Sequence, residues 1–281
     1  MDAAVTLTGE GWGIDDLDIR SKALVEKCMR CFSTESISIQ SPPQRLADWI
    51  EKGQSGKYMS VVSTACPAYH YEQLPGETPK YIYSGLDVNI GLAGRRLFRS
   101  LDGFHSLLRQ VLKIRFNHHV LVADFEGFNE LSAKRVGITA REFMDRTLRT
   151  ACDYRRHSKG RVSPETFSQI CADKEQWRAE LKAMSKRSYD GAFPELLDKR
   201  FLARIGAERR AIFETYANER IGDDDELGHV VMRRAVELAT AGKLICERFH
   251  DPLILTVSDG SLARSYGLAT EAPVLDLSGF E

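Results

Sequence analysis

Hydroxyl and carboxyl side chains follow several apolar segments that predict β-strands. Ser63 closes the run VVS, Ser84 follows KYIY, and Asp124 and Glu126 follow the apolar run HVLVA. In an open parallel sheet, ligands bind outside the carboxyl ends of the strands. These side chains are therefore the first candidates for a catalytic or binding site. The alternative is that they serve turns and helix caps, for which Ser and Asp are preferred residues.

The sequence lacks the motifs that hold common cofactors. It contains no GxGxxG after the first strand, no GxxxxGK[ST] and no GxSxG. His118 and His119 are adjacent, so on a strand they point to opposite faces and do not readily chelate one metal ion. We therefore expect neither a nucleotide cofactor nor a metal.

The strongest local charge lies in residues 134–161. This segment holds nine basic and three acidic residues, a surplus of six in a chain whose formal net charge is -1. At about 100° per residue, Arg146, Arg149 and Arg156 share one side of a helix predicted over 139–157. Such a stripe can contact a phosphate backbone, because each arginine that neutralises a phosphate releases counterions. A solvated helix face is the alternative.

Apolar periodicity predicts the elements that position these side chains. The predicted strands are 58–65, 80–84, 119–123, 253–257 and 273–277. The predicted helices are 21–32, 45–52, 92–115, 139–157, 164–185, 194–219 and 226–249. The order strand, helix, strand between residues 80 and 123 predicts a βαβ crossover. We expect an α/β fold with a parallel sheet of about five strands, flanked by helices, and a helical C-terminal half.

Length and composition are those of a globular protein. The 281 residues are 43% hydrophobic and 28% charged, which excludes disordered and collagenous classes. No apolar run approaches the roughly 18 residues that cross a bilayer, and the first residues lack signal-peptide features. The six cysteines show no framework spacing. We expect a cytoplasmic protein with a flexible lead at 1–20, a single domain at 21–281, and no DNA or membrane partner.

Residues 119–157 resemble a segment of cyclodipeptide synthases. That segment runs from a core strand through an Asp turn and the pattern N-x-x-x-A-x-x-x-G, here Asn129, Ala133 and Gly137, into a basic helix. The family's Gly-x-Ser-x-x-Asn signature does not occur in this chain, so the resemblance is to a divergent branch, such as the arginine-using enzymes of fungi. The resemblance implies a Rossmann-like sheet of the class-I aminoacyl-tRNA-synthetase type. It also implies that two aminoacyl-tRNAs are joined into a diketopiperazine.

The resemblance also implies roles for the strand-end residues. Ser63 is the best counterpart of the serine that accepts the first aminoacyl group, and Ser84 is the second choice. A carboxylate, at Asp124, Glu126 or Glu247, positions the aminoacyl ammonium group. Because the ester arrives already activated on tRNA, the reaction needs no cofactor.

Proton transfer is assigned by the mechanistic hypothesis, and RNA binding is implied by the resemblance. His70 or Tyr71 would move protons. The basic helix would bind tRNA through Arg146, Arg149, Arg155 and Arg156. Aminoacyl-tRNA is accordingly the expected partner.

Two other functions stay open from the sequence. The order and spacing of RLADWIEKGQSGKYMSVVSTACPAYHYE, GLD, VADFEGF, MRRAVELATAGKLICERF and LILTVSD are similar to isocyanide synthases. Those enzymes condense an amino acid with ribulose 5-phosphate, and Pro67 and the pair Arg233 and Arg234 fit their pattern. Here LILTVSD replaces their Arg-Leu-Ser-Ile-His-Pro strand. The third hypothesis is a non-enzymatic RNA-binding domain that uses the same basic helix.

Overall fold

The structure is a computed structural model that describes most of the chain. The described residues are 14–30, 36–65, 69–72, 80–83, 101, 103–122, 139–171, 174–191, 194, 198–207, 224–256 and 260–279. The helices are α1 (Ile19–Arg30), α2 (Pro43–Gln54), α3 (103–111), α4 (Ala140–His157), α5 (Lys174–Tyr189) and α6 (Asp224–Arg248), with further helical residues at 199–207. Short 3-10 segments occur at Ile14–Asp16, Phe167–Gln169 and Gly260–Gly267.

A six-stranded sheet forms the centre of the fold. The described residues form eight strands in all, six in this sheet and two in a separate ribbon. They are β1 (Ser36–Ile39), β2 (Tyr58–Ala65), β3 (Tyr69–Glu72), β4 (Lys80–Tyr83), β5 (Arg115–Val122), β6 (Ser163–Thr166), β7 (Pro252–Thr256) and β8 (Val274–Gly279). The large sheet has the order β1-β8-β7-β2-β5-β6, and β3 pairs with β4 in a separate ribbon. All neighbours in the large sheet are parallel except β1, which runs antiparallel to β8. The predicted α/β fold is confirmed, but the sheet has six strands instead of five and one antiparallel edge.

Two apolar layers cover the sheet because side chains alternate along each strand. Met59 and Val61 of β2 belong to a core formed with helices α1 to α4, and we call this side the front face. Val62, between them and Ser63, belongs to a second core formed with α5 and α6, and we call that side the back face. The alternation therefore fixes which helices each polar strand residue meets.

One strand connection and two element boundaries differ from the sequence expectations. The ribbon strand β4 does not join the large sheet, so the predicted crossover from it to β5 is wrong, and β2 is the parallel neighbour of β5. The long helix ends at Val111, and β5 begins at Arg115, four residues before the predicted strand. Pro164 lies in the edge strand β6, where a residue without a backbone N–H is tolerated, and not at a helix start.

Ordered structure is present before the end of the predicted flexible lead. Helix α1 begins at Ile19, because the Asp18 carboxylate accepts hydrogen bonds from the backbone N–H groups of Arg20 (2.9 Å) and Ser21 (3.1 Å). Ile14 is only 6% exposed and joins the front-face core. The lead predicted over 1–20 thus overlaps the fold from residue 14 onward. In the described part of the chain, no helix combines the length and apolarity needed to cross a membrane.

Candidate functional site

Ser63 and His118 form a buried hydrogen bond at the centre of the sheet. The register between β2 and β5 pairs Ser63 with Val120 and Val61 with His118, so both polar side chains point to the front face. Ser63 Oγ lies 2.7 Å from His118 Nε2. The serine is fully buried and the histidine is 3% exposed. A hydroxyl hydrogen-bonded to an imidazole nitrogen is the arrangement of an activated serine nucleophile and its base.

Helix α3 adds a second histidine to this pair. His105 Nε2 lies 2.7 Å from His118 Nδ1, so the contact is made on the side of the His118 ring away from Ser63. The His105 ring meets Phe116 edge-on, with centroids 5.1 Å apart. Within the described structure its other nitrogen, Nδ1, is buried and has no hydrogen-bond partner. We call Ser63, His118 and His105 the serine–histidine chain.

Both imidazoles of the serine–histidine chain are held in the neutral form. Burial lowers the pKa of His105 to about 4, and the nearby Arg109 charge adds to the effect. Burial also lowers the pKa of His118 well below its usual value, with smaller contributions from electrostatic repulsion between a protonated His118 and His105, His119 and Arg109. At neutral pH each ring therefore carries one proton and keeps one nitrogen that can accept a hydrogen bond.

Acid is expected to destabilise the fold through these two histidines. Below pH 6.5 the unfolded chain takes up protons on both residues, whereas folded His105 takes one up only near pH 4. The contribution of these two histidines to the free energy of unfolding should therefore level off above about pH 6.5 and fall by up to about 1.4 kcal/mol per pH unit for each histidine below it. For His105 the fall levels off near pH 4. Urea unfolding at pH 7.0, 6.0 and 5.0 measures the slope.

A substitution isolates the contribution of His105 to this slope. His105→Gln should reduce the proton uptake on unfolding by about one between pH 6 and pH 5. The matched control is His229→Gln, since His229 is an exposed histidine of α6. An unchanged slope in the His105 variant would show that His105 is not the desolvated group that the structure indicates.

Glu247 is not part of this site. It lies on α6, which packs against the back face, whereas the serine–histidine chain lies on the front face. Its carboxylate is exposed and sits 3.3 Å from the Lys243 ammonium group. The sheet therefore separates Glu247 from Ser63, and the structure does not bring these two predicted residues together.

The other predicted catalytic residues are described only in part. Ser84, Asp124 and Glu126 lie outside the described residues. His70 and Tyr71 lie on β3 of the two-stranded ribbon, and only their backbones are described. Of the predicted catalytic side chains, the structure thus places Ser63 and Glu247, on opposite faces of the sheet.

Helix α4 carries the predicted RNA-binding arginines. Thr139 caps it by accepting a hydrogen bond from the Glu142 N–H at 3.1 Å. Arg149, Arg155 and Arg156 are exposed.

The guanidinium group of Arg156 lies 3.2 Å from the Asp153 carboxylate. Only the backbone of Arg146 is described. Leu148 adds an apolar side chain that is 46% exposed. The exposed side of α4 is thus mainly cationic.

The basic helix and the serine–histidine chain lie on the same side of the sheet. Ala151 and Tyr154 of α4 are buried in the front-face core, together with Val120 and Val122 of β5. The side chain of Ser63 points into this same layer. An RNA bound along α4 would therefore approach the protein from the face that contains the serine hydroxyl.

Two members of the serine–histidine chain were not predicted from the sequence. From the sequence, the pair His118 and His119 raises only the question of metal binding. The sequence does indicate that His118 faces the core, because it lies two residues from both Phe116 and Val120 and so shares their face of the strand. His105 lies four residues after the buried Leu101 and three before the buried Leu108, a helical spacing that also indicates a buried polar group. A buried polar side chain requires a partner, and that requirement would have pointed to Ser63.

The neighbouring histidine behaves as the strand alternation predicts. His119 points to the back face, where its Nδ1 lies 3.0 Å from a Glu165 carboxylate oxygen and its ring packs 4.5 Å from that of Phe249. The two adjacent histidines therefore do not share a ligand. In the described ranges, no group of three His, Cys, Asp or Glu side chains could hold a metal ion.

Comparison with known proteins leaves the site to be interpreted from its own geometry. No protein-family model, curated protein or solved structure matches this chain. The chemistry available to the site is that of a buried serine with two neutral imidazoles, beside a basic helix.

Proposed function

We propose that this protein is a tRNA-dependent aminoacyl transferase that forms a cyclic dipeptide, with Ser63 as its nucleophile. The observation that carries the proposal is the 2.7 Å contact between Ser63 Oγ and His118 Nε2 on the sheet face that also bears α4. In this proposal the five parallel strands correspond to a Rossmann-like sheet and β1 is an added edge strand. Aminoacyl-tRNA is the partner, and the location is cytoplasmic.

The first step of the proposed reaction loads the serine. Ser63 Oγ attacks the ester carbonyl of an aminoacyl-tRNA, forming an Oγ–C bond and breaking the bond from carbon to the ribose oxygen. His118 Nε2 accepts the hydroxyl proton and returns it to the departing ribose oxygen. The tRNA ester supplies the activation, so the step needs no nucleotide or metal.

Two further steps form the ring. The amino group of a second aminoacyl-tRNA attacks the acyl-serine and restores the Ser63 hydroxyl. The free amino group of the resulting dipeptidyl-tRNA then attacks its own ester and releases tRNA and the diketopiperazine. Ser63 is fully buried, so an aminoacyl group reaches it only after the groups that cover it move.

The decisive experiment detects the product and its dependence on RNA. Extracts of cells that express the full chain are compared with empty-vector extracts by mass spectrometry. The reaction is then repeated in vitro with and without RNase. A new mass equal to two amino acids less two waters, lost after RNase treatment, is the expected result. A product that survives RNase would favour the isocyanide alternative. No product together with retained tRNA binding would favour an RNA-binding domain.

The basic helix provides a second test. Replacing Arg149 and Arg156 with glutamate should weaken binding of aminoacyl-tRNA by roughly 10-fold or more. The slope of log K, the binding constant, against log salt concentration should become less steep by about two. The reason is that each arginine that contacts a phosphate releases counterions. Filter binding of a labelled aminoacyl-tRNA between 50 and 200 mM salt measures both quantities.

The control for this test reverses the same amount of charge elsewhere. Arg178 and Lys182 are exposed on α5, which packs against the back face. Their double replacement with glutamate should leave tRNA affinity within about twofold, because that face does not contact RNA in this proposal. Equal losses in the two double variants would contradict the assignment of α4.

A further inference from the structure

The serine–histidine chain contains one proton more than it has hydrogen bonds. Ser63, His118 and His105 each contribute one proton when both rings are neutral, and two hydrogen bonds join them. If Ser63 donates to His118 and His118 to His105, the proton on His105 Nδ1 has no acceptor in the described structure. If the direction is reversed, the hydroxyl proton of Ser63 is the one that has no acceptor within the serine–histidine chain.

Only one of these two directions activates Ser63. A hydroxyl can give up its proton to His118 Nε2 only when that nitrogen is bare, and a neutral His118 then carries its proton on Nδ1. This proton needs an acceptor, and His105 Nε2 is the atom placed to receive it, 2.7 Å away. In the opposite direction His118 Nε2 is already protonated and cannot accept.

We propose that His105 is a positioning residue that holds His118 in the Nδ1–H tautomer and thereby makes Ser63 a nucleophile. The inference rests on the proposed role of Ser63 and extends it to a residue on another element. During attack the Ser63 proton moves to His118 Nε2, while the Nδ1 proton stays shared with His105 until the leaving oxygen takes a proton back. The proton transfer needs no atom other than those of the serine–histidine chain and the substrate.

The surroundings of His105 suit a neutral acceptor. Among the described residues, the charged and titratable groups outside the pair that act on the two rings are Arg109 and His119, both of which disfavour a second proton. Arg109 is held against Phe116, with its guanidinium carbon 4.8 Å from the ring centroid. A substrate ammonium group that donated a hydrogen bond to Ser63 Oγ would favour the reactive direction further, because the oxygen must then accept.

Two substitutions at His105 separate positioning from packing. His105→Gln places a carbonyl oxygen near the position of Nε2, which can accept the Nδ1 proton of His118. His105→Leu fills similar space without an acceptor. Single-turnover transfer from aminoacyl-tRNA to Ser63 should fall by about 100-fold or more in the leucine variant and by less than about 10-fold in the glutamine variant. The folded fraction of each variant is measured by circular dichroism, and rates are expressed per folded molecule.

A spectroscopic measurement tests the tautomer directly. In the full chain with ¹⁵N-labelled histidine, NMR should show the Nδ1–H form of His118 in the wild type and in His105→Gln, and loss of that preference in His105→Leu. A leucine variant with the wild-type rate per folded molecule, or with an unchanged His118 tautomer, would overturn the inference. If the wild type makes no cyclic dipeptide but the tautomer depends on His105, the proposed function fails and the positioning role stands.

Discussion

Replacing Ser63 with alanine is expected to reduce aminoacyl transfer by roughly 1,000-fold or more while tRNA binding is retained. The hydroxyl oxygen is the atom that accepts the aminoacyl group in the proposed reaction, and alanine offers no substitute. Transfer of a radiolabelled aminoacyl group to protein, followed by precipitation with acid, measures the first step. Mass spectrometry of the cyclic product measures the complete reaction.

The same substitution also affects the fold, and this effect has to be separated from catalysis. Alanine leaves His118 Nε2 buried without a partner, which costs about 1–3 kcal/mol of the free energy of unfolding. Ser265 supplies a control, because it is fully buried and, among the described residues, its Oγ has no hydrogen-bond partner. Ser265→Ala should therefore change neither stability nor transfer appreciably. A folded Ser63→Ala protein with the wild-type rate would place the nucleophile elsewhere, with Ser84 the next candidate.

Local patterns were sufficient to predict much of the sheet. The predicted strand 58–65 coincides with β2, and the predicted helix 139–157 coincides with α4 and its Thr139 cap. These elements have strong periodicity and clear boundary residues, so their own sequences specify them. The edge strand β6 was missed because it is short and contains Pro164, which argues against a central strand but not against an edge.

The partners of Ser63 could not be predicted in the same way. Strand alternation places Ser63 on a core-facing position, but it does not say which strand lies beside β2. The contact with His118 depends on the parallel register between β2 and β5, whose paired first residues, Tyr58 and Arg115, are 57 residues apart along the chain. The contact with His105 depends on how α3 crosses the front face. Both contacts depend on tertiary packing, which no local sequence pattern predicts.

Gly242→Ala is expected to destabilise the protein by roughly 3 kcal/mol or more, or to prevent folding. A Cβ atom at residue 242 would lie 2.0 Å from the carbonyl oxygen of Tyr266 and 2.8 Å from its carbonyl carbon. These are backbone atoms, so no side-chain rotation can relieve the clash. Helix α6 and the 3-10 segment Gly260–Gly267 would have to separate, which would expose part of the back-face core that includes Leu262 and Ala263. The midpoint of urea unfolding measures the loss.

A second glycine on the same helix distinguishes this packing effect from helix propensity. A Cβ at Gly228 would meet nothing within 4 Å, so Gly228→Ala should leave the protein unchanged or stabilise it by up to about 1 kcal/mol. Opposite signs at the two positions would show that close approach, and not backbone entropy, requires Gly242. Equal midpoints for Gly242→Ala and the wild type would mean that α6 and the segment after β7 can move apart without cost. The close contact would then not help to hold the back face, and the back-face core could not serve as the rigid support on which β2 presents Ser63.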